Sequence, residues 1–235
     1  MFICKIGYEH IEKGLNCQDF GFENSDHKCV MDGCSEGKHS EVGAKLFGHL
    51  LSQDRYSIDD IFGMLSDIFP KYEDVRNHLL FTVLIVSETK EDYIVDVCGD
   101  GYIIKQKHDD SIEYEKIGEG NAPEYFAYNY VSPDHLSKYK DGVEFKRHLL
   151  SKIEYKAVGV ASDGLEYILN SPFKEEFERL LLGRKEFAIR RLINREHKYF
   201  KDEFEKHLIG RKEFAIRRLI NREHKYFKDD ISIVI

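Results

Sequence analysis

Apolar runs that end in an aspartate beside a glycine are the feature that most constrains this chain. The pattern occurs at Asp32-Gly33, Asp100-Gly101 and Asp163-Gly164, and Asp229-Asp230 stands directly before the last apolar run. A carboxylate at the end of a buried strand is costly unless a cation or a hydrogen-bond donor faces it. One Asp-Gly pair on its own is typical of a hairpin turn. Four acid-bearing strand ends, three of them with glycine, instead predict a site for hard cations with oxygen ligands, where glycine lets the backbone approach closely.

The hydrophobic periodicity predicts many short strands and a few helices. Strands are expected at residues 2–9, 18–22, 28–32, 80–86, 93–98, 102–105, 145–150, 157–161 and 231–235. Helical spacing begins at Ser40 and again at Ser57, where Pro70 ends the second helix, and the chain after Asp163 is expected to be helical up to the last strand. The polar residues 118–140 are predicted to form a mobile loop or flap. Short connections imply antiparallel pairing, so the predicted class is α+β.

A stretch of 20 residues occurs twice, letter for letter. Residues 183–202 and 210–229 both read GRKEFAIRRLINREHKYFKD. Two identical copies indicate a recent or an engineered tandem duplication, because repeat architectures need about three or more diverged copies. Each copy has the spacing of an amphipathic helix, with Ala188, Ile189, Leu192 and Ile193 on one stripe in the first copy. We expect one copy to be structurally redundant.

Charge and composition limit the classes of binding partner that this chain is expected to have. Each copy carries seven Lys or Arg against three Asp or Glu, in a chain whose net charge is −8. Because no aromatic stacking platform accompanies the basic residues, we expect a solvated helix face and no nucleic-acid partner. No run of 18 apolar residues is present, and five cysteines lack a C-x-x-C pair. We therefore expect no membrane partner, reduced cysteines and a cytoplasmic location. We also expect a monomer with one domain, 1–235.

Carboxylates that converge from separate strands can hold two divalent ions about 3.5–4 Å apart. Aspartate, backbone carbonyl and water are ligands that suit Mg²⁺ or Mn²⁺, whereas Zn²⁺ prefers His or Cys. The 11 histidines are scattered and show no H-x-x-x-H pattern. The sequence therefore predicts Mg²⁺ or Mn²⁺ at the acidic strand ends.

Six short motifs follow one another along the whole chain. They are Asn16-Cys17-Gln18-Asp19, Met31-Asp32-Gly33 with Ser40-Glu41-Val42-Gly43-Ala44, Phe81-Thr82-Val83-Leu84, Cys98-Gly99-Asp100-Gly101, Ala161-Ser162-Asp163-Gly164 and Asp229-Asp230-Ile231-Ser232-Ile233. No single motif is specific, but in this order they resemble the metal-dependent protein phosphatases of the type-2C class, in their compact bacterial form. The resemblance implies two antiparallel β-sheets packed as a sandwich and flanked by α-helices. The duplicated helical segment near the C-terminus is an addition to that fold.

The resemblance also implies a role for each acid. Asp32 is expected to bridge both metal ions, and Gly33 to offer its backbone carbonyl to one of them. Asp163 and Asp229 are expected to complete the coordination of the other ion, while Asp19 holds a metal-bound water. Asp32, Asp163 and Asp229 are thus the expected catalytic residues.

The implied activity is the hydrolysis of phosphoserine or phosphothreonine in proteins, by direct attack of the metal-bridging water. Asp100, with Asp163, matches the pair that binds a weaker third ion in such enzymes. The family's usual phosphate-holding arginine, just upstream of the first acidic motif, is absent. His10 and Lys13 are the basic residues placed to replace it, although a lysine in a surface loop is as often only solvated.

A second class of function stays open. The alternative is a catalytically weak member of the same family that binds a phosphoprotein or a cognate kinase as a regulator. The missing arginine and the duplication between Asp163 and Asp229 favour this alternative. The complete set of acids favours the enzyme, for which a phosphorylated protein is the expected partner.

Overall fold

Runs in which apolar and polar residues alternate, and runs of β-branched residues, form the strands of this protein, because side chains in a strand point to opposite faces in turn. The computed structural model describes residues 1–118, 123–131, 139, 141–183, 185–186, 188–193 and 230–235. The strands in these residues are β1 (Phe2–Lys5), β2 (Phe20–Glu23), β3 (His27–Gly33), β4 (Phe81–Glu88), β5 (Asp92–Cys98), β6 (Gly101–Lys107), β7 (Ile112–Ile117), β8 (Lys146–Ser151), β9 (Tyr155–Ala161) and β10 (Ile231–Val234).

The strands form two five-stranded sheets with antiparallel pairing throughout. One sheet has the order β1-β10-β9-β6-β7, and the other has the order β2-β3-β4-β5-β8. Val30, Leu84 and Val95 from the second sheet share one buried cluster with Ile103 and Val160 from the first. The sheets therefore pack face to face, which confirms the α+β class and the sandwich implied by the resemblance.

Helices cover the outer faces of the two sheets. They are α1 (Tyr8–Lys13), α2 (Ser40–Leu51), α3 (Ile58–Ile68), α4 (Tyr72–His78), α5 (Leu165–Leu169) and α6 (Lys174–Leu182), with a 3₁₀ helix at Phe126–Tyr130. On the second sheet, the rings of Phe47 in α2, Phe62 in α3 and Phe81 in β4 lie with centroids 5.1–5.6 Å apart. This aromatic cluster fixes α2 and α3 on the sheet that carries Asp32.

The described part of the first copy packs against the other sheet. Residues 188–193 are helical, and Ile189, Leu192 and Ile193 are buried in one cluster with Ile3 and Phe177. The amphipathic stripe predicted for this copy is thus confirmed up to residue 193. Residues 194–229, which include the second copy, Asp202 and Asp229, lie outside the described part of the chain.

Several local predictions were wrong or incomplete. The predicted strand 2–9 ends at Lys5, and α1 follows, ending at Gly14 in the left-handed conformation with φ +66°. Helix α4 and strand β7 were not predicted. Within the predicted flap, Phe126–Tyr130 is a 3₁₀ helix, and Asn129 exchanges two hydrogen bonds of 2.7 and 2.8 Å with the backbone of Val143. Residues 119–122, 132–138 and 140 lie outside the described residues.

Two further observations bear on the sequence predictions. All five cysteines have free thiols. In the part of the chain that the structure describes, no helix is both long enough and apolar enough to cross a membrane.

Candidate metal centre

A cavity of about 630 Å³ opens where the ends of several strands meet. Its lining includes Asp32 and Gly33 at the end of β3, Asp100 in the turn between β5 and β6, and Asp163 just after β9. Three of the four acid-bearing strand ends therefore meet at one place, as the sequence pattern predicted. The fourth acidic pair, Asp229-Asp230, precedes the last strand, and Asp229 lies outside the described residues.

Gly33 occupies a position where no side chain fits. A Cβ at Gly33 would lie 2.6 Å from Oγ of Ser40 and 2.9 Å from the carbonyl oxygen of Gln18. The Gln18 amide donates hydrogen bonds to Ser40 Oγ (2.9 Å) and to the Gly37 carbonyl (3.1 Å), which holds the loop after Gly33 against the start of α2. The close packing explains the glycine beside Asp32. Gln18 is a site residue that the sequence analysis missed, although it stands next to Asp19.

The Asp100 turn joins the two sheets. Gly99 and Gly101 flank the acid with φ +105° and φ +137°, a region that glycine adopts readily and other residues do not. A Cβ at Gly99 would lie 2.5 Å from Cγ2 of Thr82, and one at Gly101 would lie 2.6 Å from the carbonyl oxygen of Ala161. The glycines thus allow the chain to pass from β5 in one sheet to β6 in the other while Asp100 lines the cavity.

Asp19 and the start of β10 both contact the segment that carries Asp163. Ser162 Oγ donates a 2.8 Å hydrogen bond to Asp19 Oδ2 and accepts one of 2.9 Å from the backbone amide of Ser232. A Cβ at Gly164 would lie 2.0 Å from the carbonyl oxygen of Asp230. Asp19 is 2% exposed. The acid predicted to hold a metal-bound water is therefore buried and bonded to Ser162, the residue before Asp163.

The two residues predicted to hold phosphate are absent from the described lining of the cavity. His10 is 4% exposed, and its Nδ1 lies 2.9 Å from Oδ2 of Asp230. Lys13 is exposed in the last turn of α1. Neither is among the described residues that line the cavity. The phosphate role of both residues stays a prediction.

One ion pair and one phenol in the cavity were not anticipated. Lys116 in β7 and Glu166 in α5 line the cavity with Nζ and Oε2 2.5 Å apart. The hydrogen bond raises the pKa of Lys116 and lowers the pKa of Glu166. Burial raises the pKa of Tyr125, another lining residue, so its phenol stays protonated at neutral pH. No pattern in the sequence pointed to Lys116, because β7 itself was not predicted.

The donor set of the cavity fits a hard divalent cation. Among the described residues, no three His, Cys, Asp or Glu side chains converge closely enough to hold an ion by themselves. The predicted ligands include only two acids from the described residues, Asp32 and Asp163. The other predicted ligands are Asp229, the Gly33 carbonyl and water. Thr82 also lines the cavity, and its Oγ1 is buried without a hydrogen-bond partner in the described structure. Carboxylate, carbonyl and hydroxyl oxygens are what Mg²⁺ and Mn²⁺ accept.

Comparison with known proteins places the fold. No family model matches the sequence, and no curated protein matches it. A bacterial serine phosphatase superposes with a TM-score of 0.55 at 14% identity, covering 99% of this chain and 94% of that one. Stp1, a serine/threonine phosphatase from Staphylococcus aureus, gives a TM-score of 0.53 at 13% identity, with 99% and 92% covered. The catalytic domain of the serine/threonine phosphatase PstP, in complex with two manganese ions, gives 0.56 at 13% identity, with 99% and 94% covered.

These likenesses extend over the whole chain, and at such low identity they concern the fold. The two antiparallel sheets and the helical layers agree with the architecture that the resemblance implies. The chain has the fold of the bacterial serine/threonine phosphatases of the type-2C class.

Proposed function

We propose that this protein is a metal-dependent phosphatase that hydrolyses phosphoserine or phosphothreonine in proteins. The observation that carries the proposal is the cavity in which Asp32, Asp100 and Asp163 meet from three separate segments of the chain. Residues so far apart in the sequence come together only through the fold. Their shared negative charge has to be balanced by cations, and cations beside a cleft are what a phosphate ester needs.

Each acid has a task in the proposed site. Asp32 would contact both ions, the Gly33 carbonyl would contact one, and Asp163 with Asp229 would hold the other. When bound, the ions would lower the pKa of a water to near neutral and would supply positive charge for the phosphoryl oxygens. Asp19, which accepts a 2.8 Å hydrogen bond from Ser162 Oγ, would orient that water.

The neighbouring residues would shape the site around these ligands. Asp100, held between two glycines of positive φ, lines the cavity, where it would take part with Asp163 in a weaker third ion site. Tyr125 lines the cavity as a neutral phenol, so it can donate a hydrogen bond to an anionic substrate. His10 and Lys13 remain the proposed phosphate ligands from the sequence pattern, and their replacement by alanine is expected to raise KM more than it alters Mn²⁺ affinity.

The test is hydrolysis of p-nitrophenyl phosphate and of a phosphoserine peptide by the full chain, with Mn²⁺, with Mg²⁺ and with a chelator. We expect turnover that requires the metal. The same samples, titrated with Mn²⁺ in a calorimeter, report binding independently of turnover. Absence of both binding and turnover would contradict the proposal.

A regulatory role without substantial turnover is the second candidate. The position of His10 favours it, because His10 contacts Asp230 and is not among the described residues that line the cavity, so the cation expected from the sequence is not at the acids. Mn²⁺ binding without turnover, combined with capture of a phosphopeptide, would support this candidate. The same preparations can test the proposed monomer of one domain by light scattering, and a tagged copy in cells can test the proposed cytoplasmic location.

A further inference from the structure

The cavity has a strong imbalance of charge. Its described lining contains five carboxylate side chains, those of Asp32, Glu36, Asp100, Asp163 and Glu166. The one cationic side chain among the described lining residues is Lys116. A phosphate monoester that enters this space gains from every cation and is repelled by every carboxylate. The location and the partner of Lys116 therefore decide how the protein itself can contribute to anion binding.

Lys116 is oriented differently from the other lysines of its hairpin. Lys105 and Lys107, on the neighbouring strand β6, form cross-strand pairs with Glu115 and Glu113. Lys116 instead reaches out of the sheet to Glu166 in α5, with Nζ 2.5 Å from Oε2. Glu166 follows Asp163 by three residues. The ammonium group is thus held at the cavity, beside the segment that carries a proposed metal ligand.

The pair is accessible enough to exchange partners. The side chain of Lys116 is 54% exposed and that of Glu166 is 44% exposed. An ion pair at this exposure contributes little to stability, so a competing anion can displace one partner. A phosphate dianion carries more charge and more acceptor oxygens than a carboxylate. A lysine on a flexible stem can follow it, since the ammonium acts as a mobile point charge.

We propose that Lys116 binds the phosphoryl group of the substrate and that Glu166 is the anion which it leaves to do so. In the absence of substrate, Glu166 holds the ammonium at the cavity wall. When the phosphoryl group enters, one of its non-bridging oxygens replaces the Glu166 carboxylate. The inference rests on the proposed phosphatase function and supplies a protein cation at the cavity itself, where neither His10 nor Lys13 is among the described lining residues.

The experiment compares Lys116→Ala with wild type in the Mn²⁺-loaded full chain. We expect KM for both p-nitrophenyl phosphate and a phosphoserine peptide to rise roughly tenfold, the loss typical of one charge-assisted hydrogen bond. Affinity for inorganic phosphate, measured by calorimetry, should fall by the same factor, while kcat changes less. Lys107→Ala is the matched control, because it removes a paired lysine of the same hairpin away from the described cavity lining, and it should leave all three values unchanged.

Glu166→Gln tests the exchange. If Glu166 competes with phosphate for Lys116, this variant should lower KM about two- to fivefold, the effect of removing an exposed ion-pair partner. Loss of a carboxylate could also act by charge alone, so the double variant Lys116→Ala with Glu166→Gln decides between the two effects. The benefit of Glu166→Gln should disappear when Lys116 is absent. An equal benefit in both backgrounds would overturn the exchange.

The outcomes separate this inference from the proposed function. If wild type shows metal-dependent turnover but Lys116→Ala matches it in KM and in phosphate affinity, the function stands and the inference is wrong. A rise in KM confined to the peptide would mean that Lys116 contacts the polypeptide, which also overturns it. If wild type hydrolyses neither substrate, the proposed function fails, and the phosphate titration alone still tests Lys116. Melting temperatures of all variants check that they are folded.

Discussion

Nδ1 of His10 lies 2.9 Å from Oδ2 of Asp230, joining the first helix to the residue that precedes the last strand. Both side chains are buried, with His10 4% and Asp230 0% exposed. The carboxylate of Asp230 also accepts hydrogen bonds of 2.5 Å from the backbone amides of Gly7 and Gln18. Asp230 thus fixes α1, the segment before β2 and the start of β10 in one arrangement.

Replacing Asp230 by asparagine should therefore destabilise the fold. Its two oxygens face two amide donors, and the asparagine side chain would turn an NH₂ group toward one of them. An unmatched buried donor costs about 1–3 kcal/mol, which urea unfolding of Asp230→Asn would detect. The control is Asp67→Asn, an exposed residue of α3, which should stay within about 0.5 kcal/mol of wild type. Equal stability of the two variants would mean that the amide contacts contribute little.

Two glycines in helices are expected to respond to alanine in opposite ways, one substitution lowering the stability of the fold and the other raising it. A Cβ at Gly43 in α2 would lie 1.9 Å from the carbonyl oxygen of His78, whereas nothing lies within 4 Å of one at Gly63 in α3. Gly43→Ala should therefore destabilise by about 1–3 kcal/mol through overpacking. Gly63→Ala should stabilise by about 0.5–1 kcal/mol, because alanine favours the helix. Thermal unfolding of both variants checks the prediction, and a shift in the same direction would contradict it.

The features that the sequence predicted correctly are those set by local pattern. The strand expected at 28–32 is β3 (His27–Gly33), and its end at Asp32 follows from an apolar run interrupted by an acid and a glycine. The stripe of Ile189, Leu192 and Ile193 is buried because helical spacing alone defines a face. The meeting of Asp32, Asp100 and Asp163 at one cavity depends instead on strand order, because the ends of neighbouring antiparallel strands lie at opposite edges of a sheet. Strands β3 and β5 end at the same edge because both pair with β4.

The features that the sequence did not predict depend on distant partners. Helix α1 has only six residues, too few for a periodic signal, and Asp230 from the other end of the chain contacts its His10. Strand β7 is an edge strand with charged residues on both faces, so it lacks the apolar alternation that marks a half-buried strand. Lys116 was missed with it. Ion pairs such as Lys116–Glu166 arise from the packing of a strand against a helix and leave no local pattern.

The central acid offers a direct test of the proposed metal site. Asp32→Asn keeps the size of the side chain but removes the charge that would bridge two ions. We expect loss of Mn²⁺ binding in calorimetry and a fall in kcat of at least about 100-fold, while the circular dichroism spectrum stays that of the wild type. Asp67→Asn again serves as the control and should bind Mn²⁺ normally. Turnover like wild type in Asp32→Asn at saturating Mn²⁺ would falsify the two-metal site.

The repeat leads to the last prediction. Ile189, Leu192 and Ile193 of the first copy are buried with Ile3 and Phe177, and Arg190 donates a 3.1 Å hydrogen bond to the carbonyl oxygen of Phe2. The second copy carries the same side chains, yet this site on the sheet can hold one set. Ile189→Ala should therefore destabilise by about 2–4 kcal/mol, whereas the equivalent change Ile216→Ala should have a smaller effect.

Deleting residues 202–228 removes one unit of the repeat and joins Lys201 to Asp229, leaving every described residue in the chain. We expect the shortened chain to fold, to melt within about 4 °C of wild type, and to bind Mn²⁺ and hydrolyse phosphate at least as well. In the full chain, Asp229 precedes a β-branched strand that enters the sheet, whereas Asp202 precedes a sequence with helical spacing. Asp202→Asn should therefore be silent, and Asp229→Asn should abolish Mn²⁺-dependent turnover. If instead the deletion fails to fold or Asp202→Asn is inactive, the first copy supplies the metal ligand. The two copies are identical in sequence, so only the position of each copy relative to β10 can decide which one provides that ligand.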